Sequence, residues 1–299
     1  MSEGLVHLLQ LLVSGVVTGG IYALVAMGFV VVYKATRVIN FATGEFMMLG
    51  AFFGWSAMSA LHAPFAVALL VAVAAAALLG MATERLVLRP LLGQRTISVI
   101  MVTIGLAAIF KGLAQIVWSG DYRTFPAIFP RAPLELGPLI IPSRQFYPFL
   151  VAVGAILLVG LAFRFTRTGV AMRATADDQM AAFGMGIDIR RIFSLSWSLA
   201  AMTAAVAGIV VGIIGGISPQ LGAIGLRTFP VVILGGLDSI GGALAGGVII
   251  GVLENLAGGY IDPMLDGTSV KEVVPFVVLV ITLMVRPYGL FGTREVERL

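Results

Sequence analysis

The stretch Asn40-Phe41-Ala42-Thr43-Gly44-Glu45-Phe46-Met47-Met48-Leu49-Gly50-Ala51-Phe52-Phe53 sets one carboxylate, Glu45, at the head of a run otherwise apolar enough to enter a bilayer. A charge at the bilayer centre costs about 2.5–3.5 kcal/mol on insertion scales, so such an acid faces protein or water rather than lipid. The surrounding sequence has the composition this requires. It is 59% hydrophobic and 11% charged, with a mean hydropathy of +1.05, whereas a soluble domain carries about 25% charged residues. The fold class is therefore all-α, a polytopic integral membrane helical bundle.

Working outward, Leu9–Tyr33, Pro64–Thr83, Phe146–Phe163 and Ile192–Ile217 are apolar runs of the length a hydrocarbon core demands, about 20 residues. Phe46–Leu61 and Thr96–Trp118 also qualify, the second interrupted by Lys111, and Val273–Val285 is shorter and ends at Arg286-Pro287. Thr228–Gly259 holds a short run to Leu234, a Gly-rich break and a second run, Ser239–Leu253. Eight or nine membrane segments result, including broken or re-entrant helices. The Met-Ser-Glu-Gly start lacks the basic region of a cleavable signal, so the first run is expected to stay as a span.

Orientation follows from lysine and arginine. Thirteen lie in one set of loops: Lys34 and Arg37; Arg85, Arg89 and Arg95; Arg164, Arg167, Arg173, Arg190 and Arg191; and Arg286, Arg294 and Arg298. Five lie in the opposite set: Arg123, Arg131, Arg144, Arg227 and Lys271. The first set is predicted to be cytoplasmic, with the C-terminus inside. The basic excess thus serves loop orientation rather than a nucleic acid.

Several chemistries are excluded or unsupported. There is no cysteine, hence no disulfide or thiolate site. Lys34, Lys111 and Lys271 follow Tyr33, Phe110 and Val270, so no Gly-Lys-Ser/Thr phosphate loop exists and ATP cannot be hydrolysed by that route. His7 and His62 stand apart from any acid pair, and no metal or other cofactor is expected. The 37 glycines fall often at four-residue spacing, as in Gly15/Gly19, Gly208/Gly212/Gly216 and Gly247/Gly251, which lets helix backbones approach closely in lipid.

Two regions share a plan. Leu9–Tyr33 leads through a basic turn to the interrupted run at Asn40; Ile192–Ile217 leads through Arg227 to Phe229–Gly236. By the charge count the two long spans run in opposite directions. An inverted repeat with paired broken helices puts a transporter's pathway near the midplane. Ten residues from Thr228 to Leu237 reach only about 15 Å, half the core. Asn40, Thr43, Gly44 and Glu45 at the first break, and Gly235, Gly236, Asp238 and Ser239 at the second, are the candidate pathway residues. Glu45 either lines that pathway or braces the helix junction. Lys111 is read as snorkelling or as the partner of an acid such as Glu45 or Glu254, and Trp118, Tyr122, Tyr147, Tyr260 and Tyr288 as an interfacial belt.

Two polar segments stand out. In residues 164–191, Met172–Phe183 is rich in helix formers and ends at Gly184, a helix terminator. Such a short amphipathic helix is either a solvated loop or a plug for a partner's groove. Residues 119–145 hold Pro126, Pro130, Pro133, Pro138 and Pro142, which argues for an ordered non-helical loop on the opposite side.

The Asn40–Phe53 stretch resembles, nearly letter for letter, the signature of permease subunits from branched-chain amino acid ABC importers. Arg173, Ala174, Ala181, Ala182, Gly186 and Ile187 reproduce the family's Arg-Ala…Ala-Ala…Gly-Ile skeleton. Phe229–Gly247 resembles its Leu-Gly-Gly-x-Gly-Ser segment, except that Asp238 stands where glycine is common. Together these span about 290 residues as a single permease domain, 1–299. The resemblance implies that Arg173–Gly186, with Asp177, Asp178 and Gly184, is a coupling helix seated in an ATPase subunit, the two acids being either partner contacts or solvated. It implies a second homologous permease, identical or not, two cytoplasmic ATP-binding subunits and a periplasmic solute-binding protein around a multi-pass inner-membrane bundle in lipid. It also implies import of branched-chain amino acids. Relatives that carry urea, short amides or aromatic acids leave the solute open. A self-sufficient channel or ion-coupled carrier, and a non-transporting scaffold, are the rival readings. Intramembrane charges are few for the carrier, and broken helices argue against the scaffold.

Overall fold

The computed structural model describes residues 3–91, 93–130, 132–265 and 269–293. Arg131, Arg294 and Arg298 of the charge count lie outside them. The chain is helical nearly throughout, from α1 (Glu3–Thr36), α2 (Thr43–Ala60), α3 (Phe65–Thr83) and α4 (Thr96–Trp118) to α5 (Ser143–Phe165). After it come the short α6 (Arg167–Asp177) and α7 (Gln179–Gly184), then α8 (Ile189–Gly215), α9 (Gly222–Arg227), α10 (Phe229–Gly235), α11 (Ile240–Tyr260) and α12 (Val274–Val285). Six of these helices are long and apolar enough to cross a membrane, with Gly222–Gly235 a shorter apolar pair. Polytopic membrane bundle is the right fold class.

Burial separates an axis from a shell. The most apolar window of α1 is 83% buried and that of α8 67%, against 22% for both α3 and α4. A helix that is apolar all round and buried all round must be enclosed by other helices. Lipid is as apolar as leucine, so burial alone does not hold such helices together; close packing does. Where α1 crosses α11, a β-carbon on Gly19 would stand 2.5 Å from the Gly247 carbonyl oxygen, and one on Gly251 2.5 Å from that of Gly15. The four-residue glycine spacing is thus an interlocked seam between helices more than 200 residues apart in sequence.

Side-chain contacts define two ends. At one, Lys34 Nζ donates to the Asp238 carbonyl at 2.7 Å, and Arg37 Nε to that of Ala176 at 3.4 Å. Arg89 holds the buried Glu84 carboxylate at 2.9 and 3.1 Å. Four helices that start at this end carry side-chain N-caps: Thr166 on Gly169 N, Asp178 on Ala181 N, Asp188 on Arg191 N and Ser239 on Gly242 N. Each satisfies one of the amides a helix start leaves open. This is the basic end of the charge count. At the other, Trp118 Nε1 donates to Ser56 Oγ at 2.7 Å, Arg144 Nε to the Ile213 carbonyl at 2.9 Å and Tyr122 to that of Gly215 at 2.6 Å. Trp118 also stacks on Phe52 with centroids 5.0 Å apart, so it is a packing residue as well as an edge aromatic.

The proline-rich segment 119–142 lies across that second end. Among its described residues the regular structure is a hairpin, β1 (Leu134–Leu136) with β2 (Leu139–Ile141), paired Leu134 to Ile141 and Leu136 to Leu139. Gln10 of α1 bonds both the N–H and the carbonyl of Ile140, and Arg123 bridges to Ile217. The segment is tied down at both edges.

Candidate functional site

Asn40–Phe53 holds a helix start inside the bundle. α1 ends at Thr36, residues 37–42 turn back, and α2 begins at Thr43. Asn40 and Thr43 are each 2% exposed. Asn40 Oδ1 accepts from Ala42 N at 3.0 Å, and its carbonyl accepts from Thr43 Oγ1 at 2.8 Å. Both polar side chains therefore serve the turn itself. Thr43 packs on α1, its methyl 3.0 Å from where Gly28 would carry a β-carbon. Gly28 lies eight residues before Thr36, so α2 starts about 12 Å inside the basic end.

What meets this start is α9, reached after the break that follows α8. A β-carbon on Gly44 would fall on the Gly222 carbonyl, and one on Gly225 would stand 2.6 Å from Gly44 Cα. The half-buried Glu45 extends over the same residue, its Oε1 2.9 Å from a β-carbon position on Gly222. Two breaks, each following a long helix and running in opposite senses, thus touch backbone to backbone. The sequence plan placed the second break at Phe229–Gly236; its contacting part is one short helix earlier. Gly222 and Gly225 went unread because a six-residue helix with Arg227 at its end has too little apolar length to register as a segment. Pro230, at the start of α10, separates the two pieces, since it cannot donate a helical hydrogen bond.

The second group of predicted residues is not brought to the first. Phe229 stacks on Phe41 at 5.9 Å, and α10 then carries the chain to the basic end. There Gly235 and Gly236 are buried beneath the segment after α12: Leu290 N donates to the Leu234 carbonyl at 2.8 Å and Phe291 N to that of Gly235 at 3.1 Å. Gly236 has φ of 105° and lies 2.5 Å, at its β-carbon position, from Gly292 N, so glycine is required there on two counts. The Asp238 carboxylate accepts from the N–H and hydroxyl of Thr293. Asp in place of the expected glycine thereby gains a role, holding the terminal segment across the break.

Ser239 is placed as a cap. Ser239→Ala is expected to cost about 1 kcal/mol, while Ser239→Asp retains a side-chain acceptor and stays near wild type. Thermal unfolding in detergent reads this, and a loss of uptake with Ser239→Asp at unchanged stability would move Ser239 from cap to pathway.

The third group sits on the surface of the basic end. The expected single helix Met172–Phe183 is two helices, α6 and α7, broken at Asp178, whose φ of −154° and ψ of 109° are extended. Asp178 accepts from Ala181 N at 2.9 Å and so starts a new helix within a run of helix formers. Arg173 reaches back to the Phe163 carbonyl and Thr175 is fully buried, which fixes α6 to the bundle. Ala174 is half-buried and Ala182 is 4% exposed, facing inward. Asp177, Asp178, Ala181, Gly184 and Gly186 are exposed. Between them stand Met180, Phe183 and Met185, exposed at 81, 67 and 84%. These three apolar side chains were not singled out in the sequence, where they look like ordinary core. Among the described residues no group of His, Asp or Glu is placed to hold a metal.

An interlocked axis, two helix breaks in contact and an exposed apolar knob at the basic end define a polytopic membrane protein of the transporter type. Residues 11–283 match the family described as "Branched-chain amino acid transport system / permease component". The chain is 31% identical over its full length, and over theirs, to the "High-affinity branched-chain amino acid transport system permease protein LivH" of Escherichia coli and of Salmonella typhimurium. It is 30% identical to the BraD permease protein of Pseudomonas aeruginosa, over 98% of each chain. No solved structure matches. The chain belongs to the branched-chain amino acid transport system permease family.

Proposed function

We propose that this chain is the permease subunit of an ATP-driven ABC importer that carries branched-chain amino acids across the inner membrane. The observation that supports it most is the full-length likeness to permeases named for that transport, combined with an exposed apolar helix pair at the basic end. In this reading the basic end, including the C-terminus, is cytoplasmic. Two ATP-binding subunits dock there, each permease offering α6 and α7, residues Arg173–Gly186. A second homologous permease completes the pathway in the lipid bilayer, and the tied-down segment 119–145 receives a periplasmic solute-binding protein.

The mechanism follows from the joints. Closure of the ATPases pushes α6 and α7, which Arg173 locks to the end of α5. Rigid helices transmit that push to the contact between Gly44 of α2 and Gly222–Gly225 of α9, where Glu45 meets the second break beside the turn that Asn40 and Thr43 hold. Backbone-to-backbone contact gives two discrete packings rather than a soft one, and ATP selects between them by differential stabilisation. Glu45 is the polar group at this joint that can reach a passing solute.

A strain expressing this chain with its partner subunits is expected to take up labelled leucine in an ATP-dependent manner, and the same strain lacking only this chain is not. Loss of urea or short-amide uptake with leucine uptake intact would keep the permease and replace the solute. Uptake by the purified chain alone in liposomes would favour the carrier.

A further inference from the structure

A cavity of about 650 Å³ opens at the end opposite the basic one, between α1, α8, α9, α11 and the start of α12. At its inner wall stands Glu254, 7% exposed and six residues, about 9 Å, from the end of α11. Among the described residues its Oε2 is buried without a hydrogen-bond partner, and the Tyr22 hydroxyl lies against the same carboxylate. A buried charge that retains an open acceptor is costly, and inside a membrane segment it marks a functional position. Two cations, Arg227 and Lys271, line the same cavity nearer its mouth. Arg227 is paired with Glu272 at 3.6 Å, with both side chains about two-thirds exposed, a pairing weak enough to be exchanged. Ile214 and Phe276 add apolar surface to the same lining.

We propose that this cavity is a solute site that takes an aliphatic α-amino acid as its zwitterion, the ammonium on Glu254 and the carboxylate on Arg227 and Lys271. The open Oε2 accepts from the ammonium, and the solute carboxylate displaces Glu272 from Arg227. The aliphatic side chain covers Ile214 and Phe276. Leucinamide keeps the ammonium but brings no carboxylate to Arg227 and Lys271, and isocaproate brings no ammonium to Glu254, so both are rejected by unmet polar groups. This rests on the function proposed above and adds a selective station within the permease.

Because the chain contains no cysteine, one can be placed as a reporter. Thr18→Cys on the cavity wall, in the complete importer in liposomes, is labelled with a membrane-impermeant thiol reagent and read by mass on this chain. Leucine at ten times its half-protecting concentration is expected to slow labelling about tenfold, and isocaproate and leucinamide are not. Adding Glu254→Gln is expected to leave labelling without solute unchanged, which shows the cavity intact, to abolish protection, and to lower leucine uptake about tenfold or more. Equal labelling with and without leucine, in a complex that transports leucine, overturns the site alone. Protection by isocaproate equal to that by leucine overturns the zwitterion assignment. A complex that takes up no leucine at all overturns the function and the site with it.

Discussion

Gly208→Ala is expected to destabilise the bundle by about 3 kcal/mol, at the upper end of what an added methyl costs in a packed core. A β-carbon there falls on the Met47 carbonyl, with Ala51 N 3.2 Å away. The obstacle is backbone on a helix that is itself enclosed, so no rotamer change relieves it, and α8 and α2 must separate. Those two helices carry the breaks that meet at Gly44 and Gly222, so the separation opens the joint as well. Measured against total stabilities of about 5–15 kcal/mol, such a loss is large. The unfolding midpoint in detergent should fall by about 6–12 °C on the scale of soluble domains. Gly105→Ala on α4 is the control, because nothing lies within 4 Å of its β-carbon position and alanine favours the helix. Equal midpoints for the two variants would refute the packing account.

The long helices were legible because lipid leaves few choices. A predominantly apolar run has to enter the bilayer as a helix, so Thr96–Trp118 is found with both predicted bounds despite Lys111, and the shorter Val273–Val285 within one residue. Charge counting likewise sorted the loops into the two ends that the contacts now define. The breaks were only partly legible. Asn40–Glu45 announced itself by an acid in an apolar run, whereas Gly222 and Gly225 matter because Gly44 lies against them, a fact of distance in space between residues about 180 apart. Glu254 could be noticed as an intramembrane acid, but Tyr22, Arg227 and Lys271 come to its cavity from three other stretches of chain. Asp238 shows the opposite limit: an aspartate where the family commonly has glycine is explained by Thr293, which the fold brings from the far end. The break at Asp178 was readable in principle, since an aspartate three residues before Ala181 is an N-cap pattern. The surrounding helix formers masked it.

The exposed knob of α7 carries the other large effect. Phe183→Ala is expected to weaken ATPase docking by about 2–4 kcal/mol, or about 30- to 1000-fold in affinity, if Phe183 is the aromatic anchor of that interface. An aromatic ring 67% exposed, flanked by Met180 and Met185 at 81 and 84%, does not belong on a surface facing water. Three polar or small neighbours, Asp177, Asp178 and Gly184, form a rim around it. The pattern is that of an interface centre, an apolar anchor with adaptable methionines inside a polar border. Removing the ring leaves the fold intact, because α6 is held by Arg173 and Thr175 and α7 by its Asp178 cap and the buried Ala182. The permease should therefore reach the membrane at normal levels with an unchanged unfolding midpoint, yet fail to retain the ATP-binding subunits on purification and fail to support uptake. Phe183→Leu, which keeps most of the apolar area, should recover part of both. Asp177→Asn is expected to change docking by less than about 1 kcal/mol if that acid is solvated, as a rim charge would be. Full uptake and normal subunit retention by Phe183→Ala would remove α7 from the coupling interface and return residues 164–191 to the status of a solvated loop.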